Sequence, residues 1–166
     1  MANNKIIPEQ IHIKKIALFK SKIEVGPEVL SNIGHIKGYS ISIAQDSGFN
    51  YEDKIVRLVQ NISLEGKGVD ENVLNVKGEF GVEIIFHIEN FDSFVINEDE
   101  KKLIDGALGA TLSGIAYSTF RGIILQETQN TAIGGVIIPV VDPSKMLVNT
   151  KKVKESGQNI LSTKKP

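Results

Sequence analysis

The sequence predicts an α+β fold, a four-stranded antiparallel sheet (a meander) followed by one long helix. Three observations carry this. Four stretches in the first 88 residues alternate apolar and polar positions at the period of a half-buried strand. One later stretch, Leu103 to Asp142, opens at helical period. Strands first and helix last argue for segregated layers rather than alternating βαβ units.

Taken in order, residues 1–8 read as frayed, with Pro8 as a boundary. Ile11 to Val25 (IHIKKIALFKSKIEV) alternates apolar and charged residues as a strand with one wet face does. The alternation slips at Lys14-Lys15, which a bulge would produce, and Gly26-Pro27 ends it. Residues 28–38 are irregular and read as a loop. Tyr39 to Ala44 is the second strand, with Tyr39, Ile41 and Ile43 on one face and a turn at Asp46-Ser47-Gly48. Asp53 to Leu64 is the third, with Val56, Leu58, Ile62 and Leu64 on one side. Gly66-Lys67-Gly68 links it to the longest strand, Val73 to Ile88, which sets Phe80, Val82, Ile84, Phe86 and Ile88 on one face and Glu83 and His87 on the other. Phe91 to Ile96 reads as a continuation past a bulge at Asp92-Ser93.

The helix follows, with Asn97 placed to cap it and Glu100 completing a capping-box-like start. Ile104, Leu108, Leu112, Ile115 and Ile123 form its apolar stripe. Gly106, Ala110, Gly114, Ser118 and Gly122 form a second row at i, i+4, all small. Gly106, Gly109, Gly114 and Gly122 cost about 1 kcal/mol each against Ala, about 4 kcal/mol together. Close approach of another backbone along the bare ridge is the usual compensation. That neighbour is either this chain's own sheet or the same helix of another copy, which makes the small row a candidate oligomer interface. After Gln129-Asn130 the segment TAIGGVIIPVVDP is extended and apolar, and Ser144 to Val148 reads as a short helical turn. The expected organisation is one domain over residues 1–150 and a loose, Lys-rich tail over 151–166.

Composition excludes several classes. The 166 residues suffice for one core, and 19 basic against 20 acidic side chains give no general pull on nucleic acid or anionic lipid. The absence of Cys excludes a disulfide scaffold and thiol chemistry. Asp105 and Arg121 leave only residues 106–120 uncharged, short of the roughly 20 a bilayer span needs, so no membrane insertion is expected. MANNKIIPEQIHIKK lacks the apolar core of a signal peptide, and the cytoplasm is the default location.

No residue set carries catalysis, and no metal or cofactor is expected. His12, His35 and His87 are scattered in sequence without ligand spacing. Gly134-Gly135 is followed by no Lys-Ser/Thr, and a corner between helix and extended chain explains it. Ser113 and Ser118 have no base in their sequence neighbourhood. Glu98, Asp99 and Glu100 fit a helix N-terminus, and Arg121 fits a snorkelling or paired charge. What remains is apolar surface that one helix cannot cover. It is either covered by a partner or open to apolar chain segments. A small apolar-ligand carrier and a structural oligomer subunit with a closed core are the rival readings, with an enzyme behind both.

Within the central stretch, Leu108, Gly109 and Ala110, then Ile115 and Tyr117, then Arg121 with Ile124, and finally Val136, Ile138, Val141 and Asp142 follow one another in an ungapped order that resembles the SecB family of protein-export chaperones. Pro139 is offset by one from the family's proline, and Asp142 stands for its Asn. The resemblance implies a SecB-like fold with the long helix on one sheet face. It also implies a homo-oligomer, a dimer of dimers with helices buried between sheets, though a dimer remains open. It further implies apolar grooves that hold unfolded or precursor polypeptide without nucleotide, an ATP-independent holdase in protein export and transport. Residues near the sheet–helix seam with apolar bulk are the candidate peptide-binding set: Phe19, Ile41, Ile43, Phe94, Tyr117, Phe120, Ile133 and Ile137. The family docks a translocation motor on a carboxylate-bearing face and is strongly acidic. This chain is nearly neutral, and its tail is Lys-rich where the family has another amphipathic helix. Motor docking is therefore the weaker expectation, and a dedicated chaperone of one labile partner, such as an antitoxin, is the alternative.

Overall fold

In the computed structural model, which describes residues 5–98 and 101–147, the sheet is built outward from its longest strand. That strand, β4 (Val73–Ile88), has β1 (Ile11–Val25) on one side and β3 (Ile55–Lys67) on the other. Beyond β3 lies β2 (Gly38–Asn50), giving the order β1-β4-β3-β2 with every neighbouring pair antiparallel. Thus β2, β3 and β4 follow as a meander, whereas β1 closes on β4 instead of β2. Between β1 and β2 the chain makes a one-turn helix α1 (Pro27–Leu30) and a 3₁₀ turn (Ile33–His35), where the sequence reads as a loop.

Strict alternation along β3 and β4 explains the single core. Val56, Leu58, Ile62 and Leu64 face the same side as Val76, Phe80, Val82, Ile84, Phe86 and Ile88, because register partners share a face. The long helix α2 (Gly106–Gln129) lies on that side and contributes Leu108, Leu112, Ala116, Phe120 and Ile124 to the same buried cluster. Each large side chain so buried contributes roughly 1.5–3 kcal/mol. Where side chains of neighbouring strand positions leave no room, glycine takes the position: a Cβ on Gly78 would meet Leu64 Cδ1 of β3 at 2.5 Å and Phe80 Cε2 at 3.0 Å.

Several local expectations are corrected. The helix does not begin at Asn97. Val95–Glu98 (β5) and Lys101–Ile104 (β6) pair as a small antiparallel ribbon, and Asp105 caps α2 by accepting from Ala107 N at 2.8 Å. The β-forming residues Val95, Ile96 and Ile104 gain partners in the ribbon, and a carboxylate oxygen one residue before the helix satisfies donors that Asn97 could not reach. Glu100, the expected capping-box partner, lies outside the described residues. No turn forms at Asp46-Ser47-Gly48, because β2 continues to Asn50 and the chain reverses at residues 51–54, with Lys54 at φ 56. Likewise β3 runs through Gly66 to Lys67, and Phe91–Phe94 is a 3₁₀ turn rather than more strand. The bulge at Lys14 is present, and a second register shift, at Phe19, accompanies it. The helical turn near the end covers residues 143–147 as far as described, and the tail 151–166 lies outside the described residues.

Candidate functional site

The segment after α2 folds back along the helix and creates the surface of interest. Gly134 and Gly135, at φ 64 and 80, make the reversal that a side chain would oppose. Thr128 then anchors it: its Oγ1 donates to Ile124 O at 2.7 Å and accepts from Val136 N at 2.7 Å. Arg121 Nε donates to Ile138 O and Tyr117 Oη to Pro139 O, each at 2.8 Å. So Arg121, the one charge in the apolar stretch, holds the returning chain by its carbonyl. Val136 and Ile138 are buried by this, while the alternate residues Ile137 and Val140 are 76 % and 79 % exposed.

Those anchors set two clefts. One, of about 220 Å³, is lined by Ser118, Arg121, Gly122, Leu125, Ile137 and Ile138. The other, of about 190 Å³, lies between β2 and the returning segment and is lined by Ile43, Gln45, Val141, Asp142, Lys145 and Met146. Beneath the second runs a buried amide relay that joins three elements. Gln60 Nε2 donates to Gln45 Oε1 at 2.7 Å, and Gln45 Nε2 donates to Ser113 Oγ at 2.9 Å. Gln60 Oε1 has no partner among the described residues.

At the opposite edge lies β1, whose Ser21 Oγ donates to Glu127 Oε2 of α2 at 2.7 Å. Ile13, Ile16 and Leu18 pair with Phe86, Ile84 and Val82, on the core face, yet remain exposed. The bulge at Lys14 is what keeps Ile13 and Ile16, three residues apart, on one face. Phe19, 55 % exposed, turns to the other face, where its ring lies over Gly81; a Cβ there would meet it at 2.5 Å.

That other face is polar and paired across strands. Glu83 of β4 accepts from Lys15 Nζ of β1 at 2.9 Å and from Arg57 Nε of β3. These hydrogen bonds, Lys15 first and then Arg57, hold its carboxyl below the usual range. Glu79 is lowered by its hydrogen bond with Lys20. The sheet register also sets His12 opposite His87, with His12 Nε2 2.7 Å from Glu89 Oε1, so two of the three histidines and a carboxylate are neighbours that linear spacing kept apart. Among the described residues no group of three or more His, Asp or Glu is arranged to hold a metal ion, and no helix is long and apolar enough to cross a membrane.

Of the candidate peptide-binding residues, Phe19 and Ile137 are on the surface, and Ile41 and Ile43 are half-buried on the helix side of β2. Phe94, Tyr117, Phe120 and Ile133 are buried within the chain's own core. The structure thus brings Ile43 beside the returning segment and sets Phe19 on the opposite sheet face. Of the small row, Gly106, Ser118 and Gly122 are exposed and Ala110 and Gly114 half-buried. Among the described residues, nothing beyond the local helix turn lies within 4 Å of a Cβ built on Gly106 or Gly122, but Pro143 Cγ is 3.2 Å from one on Gly114. The middle of the ridge is therefore covered by this chain's own return, and its ends are open. Sequence reasoning missed the β1 strip of Ile13, Ile16 and Leu18, for which the Lys14-Lys15 slip was the available signal. It also missed the Gln60–Gln45–Ser113 relay, which had none.

No protein-family model and no curated protein matches the sequence. Among solved structures, the chain is similar to the SecB-like chaperone Rv1957 of Mycobacterium tuberculosis, solved in complex with a ChAD peptide from the HigA1 antitoxin Rv1956. The two share 13 % identity at a TM-score of 0.51, over 81 % of this chain and 92 % of that one. A protein of unknown function from Streptococcus agalactiae is similar at 10 % identity and a TM-score of 0.35, over 78 % of this chain and 97 % of that one. With a four-stranded antiparallel sheet backed on one face by a long helix, and that overlap with Rv1957, this chain has the SecB-like fold.

Proposed function

We propose that this chain is a cytoplasmic, ATP-independent chaperone that holds unfolded polypeptide on apolar surface its own helix does not cover. The observation that carries the reading is the exposed apolar set of Phe19, Ile137 and Val140 with the β1 strip, on a domain whose core is otherwise closed. Contact falls on Ile41, Ile43 and Ile137 on the helix side and separately on Phe19 on the opposite sheet face, whereas Phe94, Tyr117, Phe120 and Ile133 are buried in the chain's own core. Such binding is non-directional, so it tolerates many clients, and it lowers free unfolded chain by mass action without any chemical step. The open ends of the small-residue ridge, at Gly106 and Gly122, are where helices of further copies approach, in a dimer or a dimer of dimers.

The test is aggregation of a chemically denatured enzyme diluted into buffer without ATP. Equimolar chaperone is expected to suppress it. No suppression at any ratio would remove the reading. A dedicated chaperone of one labile partner is the second reading, supported by the antitoxin peptide bound to Rv1957 and by this chain's balanced charge, 19 basic against 20 acidic residues, where the export family is strongly acidic. Protection of one partner with no effect on unrelated unfolded enzymes would favour it. The small apolar-ligand carrier is disfavoured by size and lining together: the clefts of about 190 and 220 Å³ fall below the ~300–1,000 Å³ of ordinary ligand sites, and the larger one of about 370 Å³, on the other sheet face, is lined mostly by Ser40, Ser42, Ser63, Glu65, Lys77 and Glu79.

A further inference from the structure

The chain has two arginines, and they are partnered differently. Arg57 lies on the polar sheet face in a salt bridge with Glu83. Arg121 stands half-buried on α2 and is in no ion pair among the described residues. Its Nε is committed to Ile138 O, and its two η nitrogens have no hydrogen-bond partner among the described residues. A guanidinium held at Nε keeps its η nitrogens side by side in a fixed plane, a fork that matches the two oxygens of a carboxylate. Ser118, Arg121, Gly122 and Leu125 recur at i, i+3, i+4 and i+7, so they share one helix face. The returning chain sets Ile137 and Ile138 against that face, and the six residues line the cleft of about 220 Å³. The hydroxyls of Thr111, Thr119 and Thr128 each donate to the carbonyl four residues back. Ser118 is exposed, and its hydroxyl has no partner among the described residues. No acidic side chain lines the cleft, so nothing of the chain competes there for the fork.

The cleft thus sets one cationic fork and one free hydroxyl directly beside the apolar Leu125, Ile137 and Ile138. Its volume is below that of an ordinary ligand site and suits a single residue. A phosphate would leave oxygens unbonded against the apolar walls. An acidic side chain carries its charge away from apolar bulk, whereas the last residue of a polypeptide carries carboxylate and side chain on one carbon. Resting on the chaperone reading above and deepening it, we propose that this cleft captures the free C-terminal carboxylate of a client that ends in an apolar residue. Arg121 and Ser118 take the carboxylate, and Leu125 and Ile137 take the last side chain. A chain still esterified to tRNA has no such end, so the site selects released chains.

The probe is an N-acetylated hexapeptide of Gly and Ser ending in Leu, made as the free acid and as the amide, and titrated into the full chain by calorimetry. The acid is expected to bind at least about tenfold more tightly than the amide, the worth of one charge-assisted pair. Replacing the final Leu by Gly is expected to weaken the acid. Arg121→Gln is expected to abolish the preference for the acid. Because Arg121 also anchors the return, Ser118→Asp is the second variant: it leaves that anchor in place and sets a carboxylate in the cleft, and it too is expected to abolish the preference. Equal binding of acid and amide by the wild type, or a preference that survives Ser118→Asp, would overturn the proposal. So would an amidated peptide with an internal Glu that binds as tightly as the acid, because acidic side chains would then be the ligand. The cleft shares Ser118 and Gly122 with the small-residue row, so the titration is repeated at rising protein concentration. Acid binding lost as copies associate would assign the cleft to a second copy and overturn the proposal as well. If the wild type suppresses aggregation yet binds acid and amide alike, the carboxylate site alone falls. If it suppresses nothing, both fall.

Discussion

Glu83 is the residue through which three strands are tied. It sits on β4 and accepts from Lys15 on β1 and Arg57 on β3, so the cross-strand pairs meet at one carboxylate. Because its folded pKa is lowered relative to the unfolded chain, its stabilisation is present above the unfolded value and is lost as pH falls through the folded one. Wild type is thus expected to exceed Glu83→Gln in stability at neutral pH, and the gap to close on acidification. A gap independent of pH, read from denaturant midpoints across an acid series, would show that the carboxylate's charge is not the cause. Asp105 acts on one helix end only. Asp105→Ala is expected to cost about 1 kcal/mol in chemical denaturation, the usual value of an N-cap. Asn97→Ala should change nothing comparable, since Asn97 lies in the β5–β6 ribbon and not at the cap.

At the scale of elements, the return after α2 is held by few bonds, so each matters. Thr128 Oγ1 is the acceptor for Val136 N in a buried setting. Thr128→Val keeps the shape and removes the acceptor, which leaves that N–H unsatisfied at a cost of about 1–3 kcal/mol. The expected readout is faster limited proteolysis within residues 131–147, with β3 and β4 as resistant as before. The same local logic explains what could be seen in advance. Strands β3 and β4 announce themselves because both faces of their alternation are used, one in the core and one in water. The start of α2 does not, because Val95 to Ile104 satisfies a helical stripe and a strand ribbon equally well. Only pairing between Val95 and Ile104 breaks the tie.

For the whole molecule, the question is what covers the rest of the sheet and the ridge. Leu at Gly114 would first strike this chain's own Pro143, so a loss of assembly there would be ambiguous. Gly122 is the cleaner position, since among the described residues nothing beyond its own helix turn lies within 4 Å of a Cβ built there. Gly122→Leu is expected to lower the mass seen by light scattering without lowering the melting temperature of the separated protomer. An unchanged mass would mean that helices of neighbouring copies do not meet along this row.

By itself the sequence determined the layers. Alternation in four stretches, one helical period after them, and the Leu108–Asp142 order are local properties, and local properties survive being read one residue at a time. It also determined that apolar surface would exceed what one helix hides. Tertiary structure alone decided that β1 lies beside β4, which brings His12, His87 and Glu89 together, gathers Lys15 and Arg57 onto Glu83, and leaves β2 as the other edge. It also decided that Phe94, Tyr117, Phe120 and Ile133 face inward while Phe19 and Ile137 face out. The physical reason is that an apolar side chain looks the same in sequence whether it fills a core or waits for a partner. Only the register of distant strands and the path of the returning chain fix which of the two it does.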